Sequence, residues 1–257
     1  MIKYFTKIII CGDIVCRRSQ FLWGYIFMLI LNTGFLFAET PTVESIQDSL
    51  ITRFNRIVDY SVIIKISVKM TRLRIPQKKI KLYYKSPDKV KVVSKGFAIV
   101  PKTGLGGSPN QFLSMLKSVH LTGSEILNGR EHLLLKGSVI PDSMNIPLGD
   151  NDFPEITMNL WVDASSWVIS RVETFIDTQK VFQSVSEYVE VDDVFLPSKT
   201  TLSLGFKGME RWSLRHPFGG PVTDRINFEK TANKTGIVVM KFSKYKINQG
   251  LNDSIFE

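Results

Sequence analysis

The sequence predicts a mainly β (α+β) protein built on a long antiparallel sheet with few helices. Three observations carry this. First, the stretch Asp59–Pro101 holds successive runs in which apolar residues and lysines alternate, and period two is the signature of a half-buried strand. Second, turn-forming residues recur at short intervals through most of the remaining chain. Third, only two stretches place apolar residues at helical spacing.

The first helical stretch follows Thr40-Pro41, where Val43, Ile46, Leu50, Phe54, Ile57 and Val58 recur on one face, so one amphipathic helix is expected to end near Asp59. A helix of this length needs an apolar surface to lie on. The strands that follow offer one. Val62, Ile64, Ile66, Val68 and Met70 share one parity, with Lys65, Ser67 and Lys69 on the other. Ile80, Leu82 and Tyr84 stand against Lys79, Lys81 and Lys85, and Val90 and Val92 against Lys89 and Lys91. Ser86-Pro87-Asp88 turns the chain between the last two runs, because proline presets φ and aspartate accepts from the backbone ahead of it. A meander with a greasy inner face and a wet, basic outer face is the expectation.

Beyond Phe97–Pro101 comes a glycine-rich loop, Gly104–Pro109, with neither GxGxxG spacing nor a GK[ST] ending, so it reads as a hinge rather than a phosphate cradle. A short helix, Asn110–Ser118, follows, with Phe112, Met115 and Leu116 on one face. From His120 the chain reads as strands again. Asn128-Gly129 suits the two positive φ values of a type I′ hairpin turn, with Leu133 and Leu135 on the return strand. Pro141–Pro154 is a loop. Thr157–Asp163, Trp167–Phe175, Val181–Glu190 and Ser198–Phe206 are strands joined by turns at Ala164-Ser165-Ser166, Asp177-Thr178-Gln179 and Asp192-Asp193. Trp161 and Trp167 flank one of these turns and suit cross-strand packing. Residues 205–230 form a long excursion, and Gly236–Ile247 is the last strand.

The N-terminus belongs outside this core. Lys3, Lys7, Arg17 and Arg18 precede an apolar run from Phe21 to Phe37 and then Ala38, which is the order of a secretory signal peptide, cleaved near Ala38. The competing reading is a retained membrane anchor, since Phe21–Ala38 is close to the shortest length that spans a bilayer. The expected domain plan is residues 1–38 as the signal and 39–257 as one domain. Both cysteines, Cys11 and Cys16, lie in the leader, so the processed chain has no disulfide or thiolate chemistry. Removing the leader takes away four Lys/Arg and one Asp and leaves a net charge of +6. Such a charge suits contact with anionic membrane surfaces, and it also suits lysines that keep sheet edges from pairing.

A set of segments then resembles a known family. LRIPQKKIKLYYKSPDKVKVVSKGFAIVPK after the opening helix and strand, later LWVDASSWVISRVE and YVEVDDVFLPSK, and finally FSKYKINQGLNDSIF resemble the periplasmic lipoprotein-carrier and outer-membrane lipoprotein-sorting superfamily (LolA/LolB-like) of Gram-negative bacteria. The motifs are a Tyr-x-Lys-x-Pro-Asp-Lys element between strands, a Trp-Val-Asp hairpin and a Leu-Pro before a strand, and the similarity spans nearly all of Pro41–Phe256. The resemblance implies a curved antiparallel sheet forming an unclosed half-barrel, covered by short helices, whose hollow receives acyl chains. Two short helices cannot fill a broad concave sheet, so an apolar pocket suited to a lipid tail is expected. Its walls would be Val62, Ile64, Ile66, Val68, Ile80, Leu82, Tyr84, Val90 and Val92, and its lid Ile46, Leu50, Phe54, Phe112, Met115 and Leu116. Ordinary core packing is the competing reading for every one of these residues. The excursion at 205–230 is longer than the family pattern, and Arg72 and Arg74 qualify only by position as residues that hold the lid.

Catalysis finds little support. His120, His132 and His216 lack metal-ligand spacing, no GxSxG elbow is present, and Asp142, Asp150 and Asp152 match no calcium loop. Asp192-Asp193 reads as a turn rather than an acid–base pair. The expected function is therefore non-catalytic binding and transfer of lipid or lipoprotein acyl chains in the periplasm, toward the outer membrane, with no cofactor, no metal and no nucleic acid. The partners would be the acyl chains themselves and, transiently, membrane surfaces or membrane export and acceptor proteins. The alternative is an envelope sensor of the same fold that binds lipid or lipoprotein and signals to a partner.

Overall fold

The computed structural model describes residues 41–70, 73–74, 76–94, 107–140, 155–205 and 235–257. Within Pro41–Glu257, one compact unit, the chain forms helix α1 (Val43–Phe54), strands β1 (Asp59–Met70), β2 (Leu73–Arg74), β3 (Lys78–Lys85) and β4 (Lys89–Ser94), and helix α2 (Asn110–Leu113). Strands β5 (Leu116–Leu127), β6 (Arg130–Val139), β7 (Ile156–Asp163), β8 (Val168–Ile176), β9 (Gln179–Val191), β10 (Val194–Gly205) and β11 (Thr235–Ile247) follow, then a 3₁₀ turn, Asp253–Ile255. The expected signal segment, the expected loop at 141–154, most of the glycine-rich stretch, Arg72 and the expected excursion beyond Gly205 lie outside the described residues.

All the strands join one antiparallel sheet in the order β4-β3-β1-β11-β10-β9-β8-β7-β6-β5, with β2 a short addition to β1. Among the described residues the sheet is open, with β4 and β5 as its edges, and its helical cover is small. This is the mainly β, unclosed half-barrel class that the sequence and its resemblance imply. The meander β1-β3-β4 appears as expected, with cross-strand rows Val62, Leu82, Val92 and Tyr60, Tyr84, Val90. What no local pattern announces is the partner of β1 on its other side: the last strand, with Ile64 opposite Phe242 and Ile66 opposite Met240.

The hairpin turns carry the backbone their residues favour. Asn128, Gly129, Asp177, Asp192 and Asp193 all have positive φ, which Asn, Asp and Gly tolerate. Pro197 sits inside β10 rather than before it, at a register shift between Pro197 and Lys199, where a residue without an N–H interrupts the ladder least.

Two helices differ from expectation. α1 is capped by Thr42, whose Oγ1 accepts from the Ser45 N–H, and it stops at Phe54 rather than near Asp59. The apolar spacing runs on to Ile57, which is buried, but the backbone there is claimed by Asn248. Its Oδ1 accepts from the N–H groups of Val58 (2.8 Å) and Asp59 (3.3 Å), and its Nδ2 donates to the Arg56 carbonyl (3.1 Å). Side-chain bonds from the far end of the chain thus replace the helical ones. α2 is a single turn, not a helix to Ser118: Leu116 already pairs with Val139 of β6, and Ser118 takes a positive φ at a break in the register. Strand β7 is buried along both faces rather than alternately. Trp161 donates from Nε1 to Glu125 and lies under the Arg171 guanidinium, so its outer face is covered by neighbouring side chains.

Candidate functional site

The inner face of the sheet carries two apolar clusters. The first joins Ile46 and Leu50 of α1 to the inward residues of β5 through β9, among them Leu135, Leu160, Val162 and Val172. The second joins Ile57 to β1, β3, β4, β10 and β11. All nine residues expected to wall a pocket fall in or against this second cluster. They are not equivalent. Val62, Ile64, Ile80, Leu82 and Tyr84 are at most 2% exposed and Ile66 is 8% exposed, so their surfaces are taken up by protein neighbours. Val68, Val90 and Val92 are only partly buried, and Leu202, Val238 and Phe242 share that position around the same cluster.

Met240 belongs to the cluster, Leu202, Val238, Phe242 and Tyr245 pack against it, and none of the five is among the expected wall residues. The alternation of Val238, Met240 and Phe242 is visible in the sequence. Their membership is not, because it depends on β11 pairing with β1 across the length of the chain.

The six residues expected to form a lid do not act together. Ile46, Leu50 and Leu116 are buried in the first cluster, with Phe112 and Met115 packed against it. Phe54 alone packs on the second, its ring edge-on to Tyr84 at 5.6 Å. One helix therefore seats its middle on one cluster and its last residue on the other, while α2 serves only the first. Arg74 of β2 stands opposite Lys69 in register.

The end of the second cluster near Phe54 is aromatic. Tyr60 stacks on Tyr84 at 5.1 Å and meets Tyr245 edge-on at 5.8 Å. The Tyr84 hydroxyl donates to the Pro87 carbonyl and that of Tyr245 to the Pro197 carbonyl. Burial pushes the pKa of all three phenols upward, so each stays neutral at physiological pH. These rings bring apolar area, and the polar tips of Tyr84 and Tyr245 are already satisfied. Aliphatic and neutral aromatic side chains of this kind can hold a hydrocarbon by burial; they offer no nucleophile and no proton donor tuned near neutrality. Among the described residues no group of three or more His, Cys, Asp or Glu is placed to hold a metal ion, and no helix is long and apolar enough to cross a membrane.

No family model matches the sequence and no curated protein matches it. Solved structures do. A DUF1329 family protein from Desulfovibrio piger superposes with a TM-score of 0.52 at 14% identity, over 85% of this chain and 98% of that one. A LolA superfamily protein from Nitrosomonas europaea superposes with a TM-score of 0.51 at 12% identity, again over 85% and 98%. At such identities the likeness is one of fold, and the fold is the LolA-like half-barrel.

Proposed function

We propose that the protein binds acyl chains of lipids or lipoproteins on the inner face of β1, β3, β4, β10 and β11, and carries them, without chemistry, through the periplasm toward the outer membrane. The observation that supports this most is the partly exposed apolar rim, Val68, Val90, Val92, Leu202, Val238 and Phe242, around the sealed second cluster. Apolar surface left at the rim of a concave sheet costs free energy that a hydrocarbon chain would recover, at about 0.8 kcal/mol per methylene buried. The two fold relatives are consistent with the reading, and the basic-then-apolar leader suits export.

The test uses the protein recovered from the envelope of an expressing Gram-negative host. Native mass spectrometry should find co-purifying lipid, and the protein should bind a fluorescent fatty acid that unlabelled fatty acid displaces. Glutamate at Leu82 would unfold the chain, since that side chain is 0% exposed. Val68→Glu together with Val92→Glu, at the rim, should abolish fatty-acid binding with the circular dichroism unchanged. A wild-type protein with no lipid and no fatty-acid binding would overturn the proposal. Tight binding with no exchange of lipid between vesicles would turn it toward the sensor alternative.

A further inference from the structure

We propose that the outer face of β3, β1, β11 and β10 is a docking surface for a bilayer that carries anionic phospholipid headgroups. Lys79 stands directly opposite Lys65, Lys65 opposite Lys241, and Lys241 opposite Lys199, one lysine on each of four adjacent strands. Their chain neighbours Ile64, Ile66, Ile80, Met240 and Thr200 are buried on the inner side, so the lysines point outward. With strands about 4.8 Å apart the row spans roughly 14 Å. Like charges directly opposite one another destabilise a sheet.

The row has little to neutralise it. Among the described residues Lys199 is ion-paired with Glu187, whereas Lys65, Lys79 and Lys241 have no ion pair. Flanking the row on the same face, Ile63, Ser67, Gln77, Lys81, Val239, Thr201 and Ser243 include no acid and one further lysine. Protection of a sheet edge, the other reading of these lysines, does not apply, because all four strands are paired on both sides.

The residue types select the partner. Protein interfaces are depleted in lysine and enriched in arginine and aromatic anchors, and this row is lysine throughout. An anionic bilayer asks only that several cations come within one screening length of its surface, about 8 Å at physiological salt, and needs no fixed geometry. The row is placed behind the candidate acyl site, on the same strands, but its argument does not depend on that site.

The experiment sediments the protein recovered from the envelope of an expressing host with vesicles of phosphatidylcholine alone and of phosphatidylcholine with an equal part of phosphatidylglycerol. Wild type should bind the anionic vesicles in preference, and added salt should release it. The double variant Lys65→Gln, Lys241→Gln should lose roughly 30-fold in partitioning, from about 1 kcal/mol per lysine at an anionic surface. The control double Lys117→Gln, Lys136→Gln has the same change in net charge, at exposed positions on β5 and β6, and should lose little. Equal losses in the two doubles would reduce the effect to net charge and overturn the proposal. So would the absence of anionic preference in wild type, or row-dependent capture of an acidic protein without vesicle binding. Fatty-acid displacement should be unchanged in the row variant, so failure here leaves the acyl-binding proposal standing. The thermal midpoint should not fall, because the substitutions relieve repulsion rather than remove contacts.

Discussion

Asp163 shows how much one side chain can organise at the end of a strand. Its Oδ1 accepts from the Ser165 N–H (2.8 Å), the Ser165 hydroxyl (2.6 Å) and the Ser166 N–H (3.2 Å), and its Oδ2 accepts from Arg130 of the neighbouring strand (3.2 Å). Burial works to raise its pKa, but the Ser165, Arg130 and Ser166 bonds outweigh it and hold the carboxyl at about 2. A folded pKa below the unfolded one means stability that is present above the unfolded value and lost as pH falls through the folded one. The window therefore runs from about pH 4 down to about pH 2, and the contribution at neutral pH is roughly 2 kcal/mol. Asp163→Asn should lower the urea-unfolding free energy by about that amount at neutral pH, with the gap to wild type closing near pH 2. A gap that stays constant with pH would show that the carboxylate charge is not the cause. The sequence makes the Ala164-Ser165-Ser166 turn legible. It does not show that Asp163 holds the turn and reaches across to Arg130, since that requires the β6–β7 register.

Elements were legible in their middles and less so at their ends. The alternation of β1 and β3 and the Asn-Gly and Asp-Asp turns follow from local chemistry, and they are where expected. The end of α1 and the brevity of α2 do not, because Asn248 and β6 compete for the backbone there with better partners than the next helical turn offers. The same competition ties down the C-terminal segment. Asp59, 1% exposed, accepts from the N–H groups of Gln249 (2.9 Å), Gly250 (2.9 Å) and Leu251 (3.0 Å), while Lys85 donates to the Leu251 carbonyl and, with Lys89, pairs with Asp253. Three backbone donors converging on one buried carboxylate are worth more than the exposed lysine pairs, which water and salt weaken. Asp59→Asn turns an amide N–H₂ toward those donors and should cost about 3 kcal/mol. Limited proteolysis should then cut first within 248–257. If Lys85→Gln and Lys89→Gln together destabilise the segment as much, the ion pairs and not the buried carboxylate are its anchor.

At the scale of the whole molecule, the open sheet joins two kinds of pairing. From β5 to β10 each strand pairs with the next through a turn or a short connection, except across the loop 141–154, so those ladders close at little entropic cost. The ladder of β1 with β11 pairs residues such as Ile64 and Phe242, at opposite ends of the chain. It gathers the second cluster from β1, β3, β4, β10 and β11, which is why the sequence made the inward residues of β1 and β3 visible as a set and left their β11 partners out. Non-local ladders form late, because loop closure must be met before their contacts are gained. Pulse-labelled hydrogen exchange during refolding should therefore protect the amides of β6 through β9 before those of β1 and β11. The candidate acyl site would then be the last part of the protein to assemble. Simultaneous protection of both sets would mean that the two clusters form one cooperative core, and earlier protection of β1 and β11 would place the nucleus at the chain ends.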